Sequence, residues 1–360
     1  MSNQYRDIDQ ILAIATPPRS EPNHYVASSA KACFTWEYDR DFSALDRLYE
    51  KAKRSQWNGT TDLPWHLEVD PEREAASNIA SRIDRGNQLD WSGTPVASWA
   101  EKEWLEFSIL SQRWSLSQFL HGEQGALLCT SRLVETVPWY EAKLYGSTQV
   151  VDEARHVEVF ARYTKEKLGG EFQINAHLSS LLDDILEDQR WDMVYLGMQV
   201  MVEGLALAAF GYMQQLSSEP LLKQLLKYVM ADEARHVAFG TISLAEAYKE
   251  LTDVELKERA EFAFEASVRM RDRFLQQEVW EHMGVSPRLV LPVVLADPDR
   301  EVFQSLLFSK IVPNCKKLGL LDASDGWLRK RFTDLGVIGF EHSDATDDEV
   351  LLSDLYTLER

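Results

Sequence analysis

The middle of the chain consists of long runs in which apolar side chains recur every three or four residues, the spacing of one face of a helix. The first run carries five large apolar residues: Trp104, Phe107, Leu110, Trp114 and Phe119. We predict that a capping box of Ser98 and Glu101 begins this helix and that the helix stops before Pro138.

The same periodicity predicts three more core helices and a fifth helix that is rich in charge. Gly169 and Gly170 mark the end of the second helix, and a loop with Asn175 and His177 is expected before the third. The expected ranges are about 139–168, 181–216, 220 onward and 251–282.

Charged positions interrupt the apolar faces in a repeated pattern. The phrase Asp-Glu-Ala-Arg-His stands at residues 152–156 and again at residues 232–236. In a helix, the Glu and the His of each phrase are three residues apart, so that a carboxylate and an imidazole project from the same face. Each phrase can therefore act as a two-residue claw for a metal ion.

A lone glutamate precedes each phrase by the same interval. The interval from Glu123 to Glu153 equals the interval from Glu203 to Glu233. It fits two antiparallel helices joined by a short turn, which places the lone glutamate opposite the claw. The order indicates a duplicated helical hairpin, and two hairpins packed together bring six ligands into one core: Glu123, Glu153, His156, Glu203, Glu233 and His236.

Four carboxylates on apolar helix faces require a buried countercharge, because an unpaired buried carboxylate is costly. Two divalent metal ions balance the four negative charges. Hard oxygen ligands with one imidazole per metal favour iron or manganese over zinc. The alternative for a single phrase is a solvated helix face with ion pairs. Two identical copies, each at the same distance after a glutamate in an apolar run, argue against that alternative.

With this motif over about residues 98–250, the sequence resembles the ferritin-like di-iron carboxylate oxygenase superfamily. This group includes ribonucleotide reductase small subunits, bacterial multicomponent monooxygenases, acyl-carrier-protein desaturases and p-aminobenzoate N-oxygenases. The resemblance implies an all-α fold, a ferritin-like four-helix bundle with an additional N-terminal cap and C-terminal helices. It also implies two Fe ions as cofactor, with Mn or mixed Mn/Fe as variants, and O2 as co-substrate.

The function that the resemblance implies is O2-dependent oxidation of a small organic substrate, by hydroxylation or N-oxygenation. The external electrons would come from a donor such as a ferredoxin or a flavin reductase. Two alternatives stay open: a di-iron oxidase or desaturase, and a ferroxidase or non-enzymatic metal-binding protein.

The resemblance also assigns roles to the other charged residues of the two phrases. It implies that Asp152 accepts a hydrogen bond from His236 and that Asp232 accepts one from His156, which would fix the imidazole tautomers. Arg155 and Arg235 would then neutralise those aspartates. The alternative for these arginines is a pair of simple surface salt bridges.

Three positions differ from the better-known branches. Ribonucleotide reductase small subunits typically place a radical tyrosine four residues after the histidine that corresponds to His156, and this chain has Phe160. The multicomponent monooxygenases place a threonine where this chain has Leu207, and the N-oxygenases add a histidine where it has Val229. A radical-storage role is disfavoured, and the branch is left open.

The candidate walls of a substrate pocket, one helical turn from ligands, are Phe119, Leu127, Phe160 and Leu207, with plain core packing as the alternative for each.

Composition narrows the classes of partner. The net charge of −20 argues against a nucleic acid or an anionic membrane surface. Cys33, Cys129 and Cys315 are far apart and odd in number, which is typical of reduced thiols. No signal peptide and no stretch of 18 apolar residues is evident, so we expect a cytoplasmic protein without a membrane span. The sequence leaves a homodimer open.

The remaining chain frames the bundle. We predict an N-terminal cap segment over residues 1–95, the di-metal bundle over 96–285 and a C-terminal helical extension over 286–360, whose acidic tail is expected to be mobile. Phe34, Trp36 and Tyr38 alternate with polar residues, as in a short strand or an extended packing segment. We expect the aromatic residues of the cap to pack it onto the bundle rather than to line a substrate entrance.

Overall fold

The structure is a computed structural model that describes residues 7–14, 21, 23–84, 88–346 and 350. The acidic tail at residues 347–349 and the chain end at 351–360 lie outside this range. Within it the protein is helical and contains no strand. In chain order the helices are α1 (Ile8–Ala13), α2 (Ser43–Arg54), α3 (Pro71–Asp84), α4 (Glu101–Thr136), α5 (Tyr140–Leu168), α6 (Ala176–Glu187), α7 (Trp191–Tyr195), α8 (Glu203–Leu216), α9 (Pro220–Ala247), α10 (Asp253–Asp272), α11 (Gln277–His282), α12 (Pro287–Leu295), α13 (Pro298–Lys317) and α14 (Ala323–Asp334).

A four-helix bundle forms the centre of the fold. α4 packs along α5, and the continuous segment from α7 to α8 packs along α9. Between α7 and α8, residues Leu196–Val202 form a π-helical turn. The helices pack together because their facing sides are apolar, and large side chains fill the interior: Trp114, Tyr145, Phe160, Phe210 and Phe239. The all-α, ferritin-like bundle predicted from the sequence is confirmed.

Three predicted helix boundaries are wrong. The fifth helix, expected over 251–282, ends at Asp272 and is followed by the short turn Arg273–Leu275 and then α11. The first core helix begins at Glu101 rather than Ser98, because the Glu103 carboxylate caps its start by accepting a hydrogen bond from the Ala100 backbone N–H at 2.9 Å. The expected loop before the third helix contains α6, which Asn175 caps by accepting hydrogen bonds from the N–H groups of His177 and Leu178. The third core helix therefore begins at Trp191 rather than Leu181.

The aromatic residues of the cap fall into two sets. Trp57 and Trp65 are buried, at 6% and 8% exposure, as the packing prediction requires. Phe34 and Trp36 are each 75% exposed and stack on one another, with ring centroids 5.3 Å apart. Their alternation does not mark a strand, because the segment crosses the surface near the α4–α5 turn without regular pairing.

Among the described residues, one helical stretch, Trp191–Leu216, is long and apolar enough to cross a membrane by length and composition. In its most apolar window, 94% of the residues are buried inside the protein. The same length and composition are found in the core helices of soluble bundles, and this stretch supplies one core helix here.

Candidate metal centre

The six predicted ligands all lie in the core of the bundle. α4 and α8 each contribute a lone glutamate, and α5 and α9 each contribute a glutamate and a histidine three residues later. Because residues three apart share a helix face, each claw turns both of its side chains inward. None of the six residues is more than 5% exposed: Glu123, Glu153, His156, Glu203, Glu233 and His236.

The ligands form two groups of converging donor atoms, and the atoms of each group lie within 4.8 Å of one another. One group is Glu123, Glu153, His156 and Glu233, and the other is Glu153, Glu203 and His236. Each group contains one imidazole, and the two rings are 5.8 Å apart between centroids. Two groups that share a carboxylate form the arrangement of a two-metal site.

The claw carboxylates lie between the two imidazoles. Glu153 places one oxygen 3.1 Å from Nδ1 of His236 and the other 3.4 Å from Nδ1 of His156. Glu233 mirrors this, with one oxygen 3.1 Å from Nδ1 of His156 and the other 3.5 Å from Nδ1 of His236. Glu123 approaches His156 at 3.2 Å. The geometry suits Glu153 and Glu233 to bridge two ions, and the lone glutamates to bind one ion each.

Several of these atoms are buried without a hydrogen-bond partner among the described residues. They are Oε2 of Glu153, Oε2 of Glu203, both carboxylate oxygens of Glu233 and Nδ1 of His236. An unsatisfied buried polar atom costs about 1–3 kcal/mol, and more when it is charged. Metal coordination would satisfy all of them, so the donor set fits two hard metal ions such as iron or manganese.

Burial shapes the protonation of the lone glutamates. Burial, assisted by the negative charge of Glu233, raises the pKa of Glu123 to about 8. Burial also raises the pKa of Glu203, with the charges of Glu153 and Glu233 acting in the same direction. At neutral pH the Glu123 carboxyl therefore holds a proton that a metal ion would displace.

For the two histidines, the neighbouring carboxylates outweigh the effect of burial on the pKa. Burial acts to lower the pKa of His156, but the nearby carboxylates, Glu123 foremost, raise it well above its ordinary value. The pKa of His236 is raised likewise, against burial, by Glu153 and Glu233. In turn, although burial acts to raise the pKa of Glu153, the two histidines hold it well below its usual range. The carboxylates of the cluster thus favour positive charge on the two imidazoles at its centre.

Each imidazole is held from behind by an aspartate of the other hairpin. Nε2 of His156 lies 3.1 Å from Oδ2 of Asp232, and Nε2 of His236 lies 3.4 Å from Oδ2 of Asp152. This is the cross-pairing that the resemblance implies. Because Nε2 is engaged in this way, Nδ1 of each ring is left to face the carboxylates.

The two arginines of the repeated phrases are buried beside these aspartates. Arg155 contacts Asp152 and lies 3.1 Å from Asp232, and Arg235 contacts the other oxygen of Asp232. Arg155 is 8% exposed and Arg235 is fully buried, so these are not surface salt bridges. Burial acts to raise the pKa of Asp232, but the Arg235 charge and the hydrogen bond with His156 hold it far below its usual range.

The structure adds residues that sequence reasoning missed. The indole N–H of Trp57 donates to Asp232 at 2.7 Å, and the side-chain amide of Gln56 donates to Asp152 at 3.0 Å. The Arg155 guanidinium lies over the Trp57 ring at 4.6 Å. The turn that follows α2 therefore closes one side of the site. No periodic pattern in the sequence marks these two residues, which lie far from the ligands along the chain.

Gln149 is a further missed residue. Its amide donates to Glu153 at 2.8 Å and to Glu203 at 3.0 Å, which ties the two hairpins together. The sequence did carry a signal for it, because Gln149 lies one helical turn before Glu153 on the ligand face. Because Gln149 is fully buried, its amide needs hydrogen-bond partners, and the ligand carboxylates on that face supply them.

A small cavity adjoins the ligands, with a free volume of about 20 Å³. This is room for about one water molecule. The sides of the cavity are formed by the residues one before and three after each lone glutamate. These are Gly122 and Ala126 on α4, and Val202 and Ala206 beside Glu203, so three of the four are Gly or Ala. Because these side chains are small, space remains between α4 and α8. The cavity lining comprises Gln118, Phe119, Gly122, Glu123, Ala126, Val202, Glu203, Ala206, Glu233 and Arg273.

Of the predicted pocket walls, Phe119 lines this cavity, whereas Leu127, Phe160 and Leu207 do not. Phe160 is fully buried in an aromatic cluster with Phe119 and Phe210. Leu207 is buried in the same hydrophobic core. Leu127, Phe160 and Leu207 each follow a ligand by four residues, but the cavity lies on the side of the residues one before and three after each lone glutamate.

Comparisons with known proteins give the chain no family name. No protein-family model matches it, and no curated protein matches it. Among solved structures it is similar to an R2-like ligand-binding oxidase after photoconversion, at 18% identity over 78% of this chain and 94% of that chain, with a TM-score of 0.48. It is also similar to a point mutant of an R2-like ligand-binding oxidase with a Mn/Fe cofactor, at 19% identity over the same shares, with a TM-score of 0.47.

Proposed function

We propose that the protein is a two-metal oxidoreductase that uses O2 to oxidise a small organic substrate, by hydroxylation or N-oxygenation. The observation that carries the proposal is the convergence of four glutamates and two histidines in the core, with donor atoms that lack hydrogen-bond partners among the described residues. Two iron ions, or iron with manganese, would supply the redox chemistry with O2 when bound.

The protein's own residues have distinct tasks in this proposal. Glu153 and Glu233 span the two imidazoles and would hold both ions between them. Asp152 and Asp232 keep the imidazoles in one tautomer and orientation. The buried aromatic cluster and the turn carrying Trp57 exclude bulk water from the reacting atoms.

Electron balance requires an external reductant. Insertion of one oxygen atom of O2 into a C–H or N–H bond, with reduction of the other to water, consumes two electrons and two protons. We propose a ferredoxin or a flavin reductase as the donor. A hydrogen-bonded chain from Trp57 through Asp232 to His156 leads from the cap to a predicted ligand, and supports delivery from that side.

The size of the cavity favours a second candidate. A free volume of about 20 Å³ admits O2 or water without rearrangement, whereas a larger substrate would require the cavity to widen. An oxidase or ferroxidase that reacts with Fe(II) and O2 alone would need no more room. Turnover of Fe(II) and O2 that no organic compound accelerates would favour this candidate.

The first experiment measures metal content after anaerobic loading with Fe(II), followed by stopped-flow absorbance on mixing with O2. We expect about two irons per chain and a rapid absorbance change. Glu153→Ala and Glu233→Ala should lose the bound iron and the absorbance change, because each carboxylate places its oxygens within 3.5 Å of Nδ1 of both histidines.

Matched controls are available on the same two helices. Glu158→Ala on α5 and Glu246→Ala on α9 remove carboxylates that lie away from the ligand cluster, on the same helices as the claws. Both controls should bind metal as the wild type does. Metal content below stoichiometry in the wild type, with ligand and control variants alike, would refute the two-metal proposal.

A further inference from the structure

Arg273 is a buried cation with no anionic partner among the described residues. It lies in the short turn Arg273–Leu275 after α10 and is 2% exposed. Its Nε has no hydrogen-bond partner, and no described residue accepts a hydrogen bond from its guanidinium. The guanidinium contacts the ring of the adjacent Phe274, at 4.6 Å. Nearby Arg271 differs, because its Nε donates to Asp272 at 2.7 Å.

Arg273 also lines the cavity at the metal centre. Glu123, Glu203 and Glu233 line the cavity together with Arg273, so one space adjoins both the predicted ligands and this cation. Burial lowers the pKa of Arg273 to about 9, and no neighbouring carboxylate among the described residues offsets this effect. At neutral pH the group is still charged, and a buried charge without a partner is costly.

We propose that Arg273 binds the carboxylate of an organic acid that is the substrate or ligand of this site. A guanidinium offers a planar fork of N–H donors that matches a carboxylate with two parallel hydrogen bonds. This inference rests on the proposed function and adds the substrate class. The acid's remaining atoms would then lie toward the ligand end of the cavity.

Two observations favour a carboxylate over a phosphate. The free volume near Arg273 is small, and a planar carboxylate needs less of it than a tetrahedral phosphate. Three glutamates line the same space, so a dianion would meet more repulsion than a monoanion. Gly122 and Ala206, which line the cavity, are half-buried, and we expect the acid to enter beside them.

The test measures binding by isothermal titration calorimetry to metal-loaded and to metal-free protein. The probes are acetate, butyrate and benzoate, each compared with its uncharged amide. In the wild type we expect at least one acid to bind about tenfold or more tightly than its amide. Arg273→Gln should lose that preference, and Arg273→Lys should keep part of it, because lysine retains the charge without the fork.

Two further variants keep the test decisive. Arg288→Gln removes an exposed arginine and should leave acid binding unchanged, which controls for net charge. Gly122→Val retains Arg273 but fills the cavity beside α4, where an added Cβ meets open space. It should weaken benzoate binding more than acetate binding, and it replaces Arg273→Gln if that variant does not fold.

The outcomes separate this inference from the proposed function. Acid binding that is equally tight in the wild type and Arg273→Gln would overturn the inference, because the metals alone would then hold the acid. The absence of any preference for the three acids over their amides would also overturn it. Arg273-dependent acid binding in a protein that holds no stoichiometric metal would support the carboxylate site and refute the two-metal function.

Discussion

The two hairpins of the bundle carry the same ligands in the same order, but the surroundings of those ligands differ. In the first hairpin, α4 is a regular α-helix, and Gln149 on α5 donates to Glu153 and Glu203. In the second, a π-helical turn directly precedes Glu203, and the position that corresponds to Gln149 is the buried Val229. Glu153 is therefore held by an amide, whereas both oxygens of Glu233 lack a hydrogen-bond partner among the described residues.

This difference separates two roles within one repeated pattern. The shared residues are the predicted metal ligands, and the residues that differ decide how each carboxylate is held. Glu233 lines the cavity with Arg273, whereas Glu153 does not. We infer that Glu233 is the bridging carboxylate that is able to rearrange beside a bound molecule, and that Glu153 is the fixed one. π-Helical turns are frequent at functional sites, which agrees with a reactive second hairpin.

The largest expected effect comes from the aspartates behind the imidazoles. Asp232 contacts Arg235, Arg155, Trp57 and His156, and Arg235 is fully buried. Breaking a buried charge pair costs about 3–5 kcal/mol. We expect Asp232→Asn to lower the free energy of unfolding by that order, as measured by urea denaturation of metal-free protein.

Asp152→Asn is the matched variant in the first hairpin. Its arginine, Arg155, also lies near Asp232 and donates a hydrogen bond to Gln56, so less charge is left unpaired. The loss should be smaller than for Asp232→Asn. Equal losses in the two variants would mean that the two aspartates are interchangeable, contrary to the comparison.

The convergence of the six predicted ligands could be foreseen from the sequence, but much of what surrounds them could not. Each claw and its lone glutamate recur at helical spacing, so periodicity alone places them on inward faces. Trp57 and Arg273 reach the site from elements outside the four bundle helices, and no local pattern marks such contacts. Phe160 and Leu207, offered as pocket walls, follow the alternative of core packing for a related reason. Spacing identifies a helix face, but it does not show which side of that face is left open by small residues.

The next effect concerns the close approach of α9 to the π-helical turn. Position 240 corresponds to Phe160 of the first hairpin but is a glycine, and a Cβ there would lie 2.6 Å from Cβ of Gln199. Because Cβ is fixed to the backbone, a helix must move to admit it. We expect Gly240→Ala to lower the free energy of unfolding by about 1–3 kcal/mol, measured by urea denaturation.

The control is Gly122→Ala in the first hairpin, where an added Cβ meets open space. Alanine there should stabilise α4 by about 0.5–1 kcal/mol, because glycine is unfavourable inside a helix. If Gly240→Ala is as stable as Gly122→Ala, the contact between α9 and the π-helical turn is looser than the geometry indicates.

The third expected effect is a dependence on pH. The pKa of Glu123 is raised to about 8, above that of an unfolded glutamate, so its contribution to the stability of metal-free protein is full below the unfolded pKa and is lost as pH rises toward 8. For metal binding the sign is reversed, since the ion displaces this proton. Metal affinity should rise about tenfold per pH unit per displaced proton up to about pH 8.

Calorimetry in buffers of different ionisation enthalpy counts the displaced protons directly. Glu123→Gln should lower the count by about one proton, because it removes this carboxyl alone and leaves Glu203, His156 and His236, whose pKa values are also raised. A proton count at pH 7 that is zero in the wild type would show that the lone carboxyls are already ionised, contrary to this expectation.

The smallest effect is expected from making the hairpins alike at position 149. Gln149→Val gives the first hairpin the residue found at position 229 and removes the hydrogen bonds to Glu153 and Glu203. Hydrogen bonds of this kind contribute about 1 kcal/mol net, so metal affinity should fall about fivefold. The reverse change, Val229→Gln, should instead restrain Glu233 and slow the reaction with O2 at unchanged metal content. If the fixed and the movable carboxylate are correctly assigned, the first variant changes affinity and the second changes rate. If both variants change only affinity, the two bridging carboxylates are equivalent, and the difference between the hairpins has no part in the chemistry.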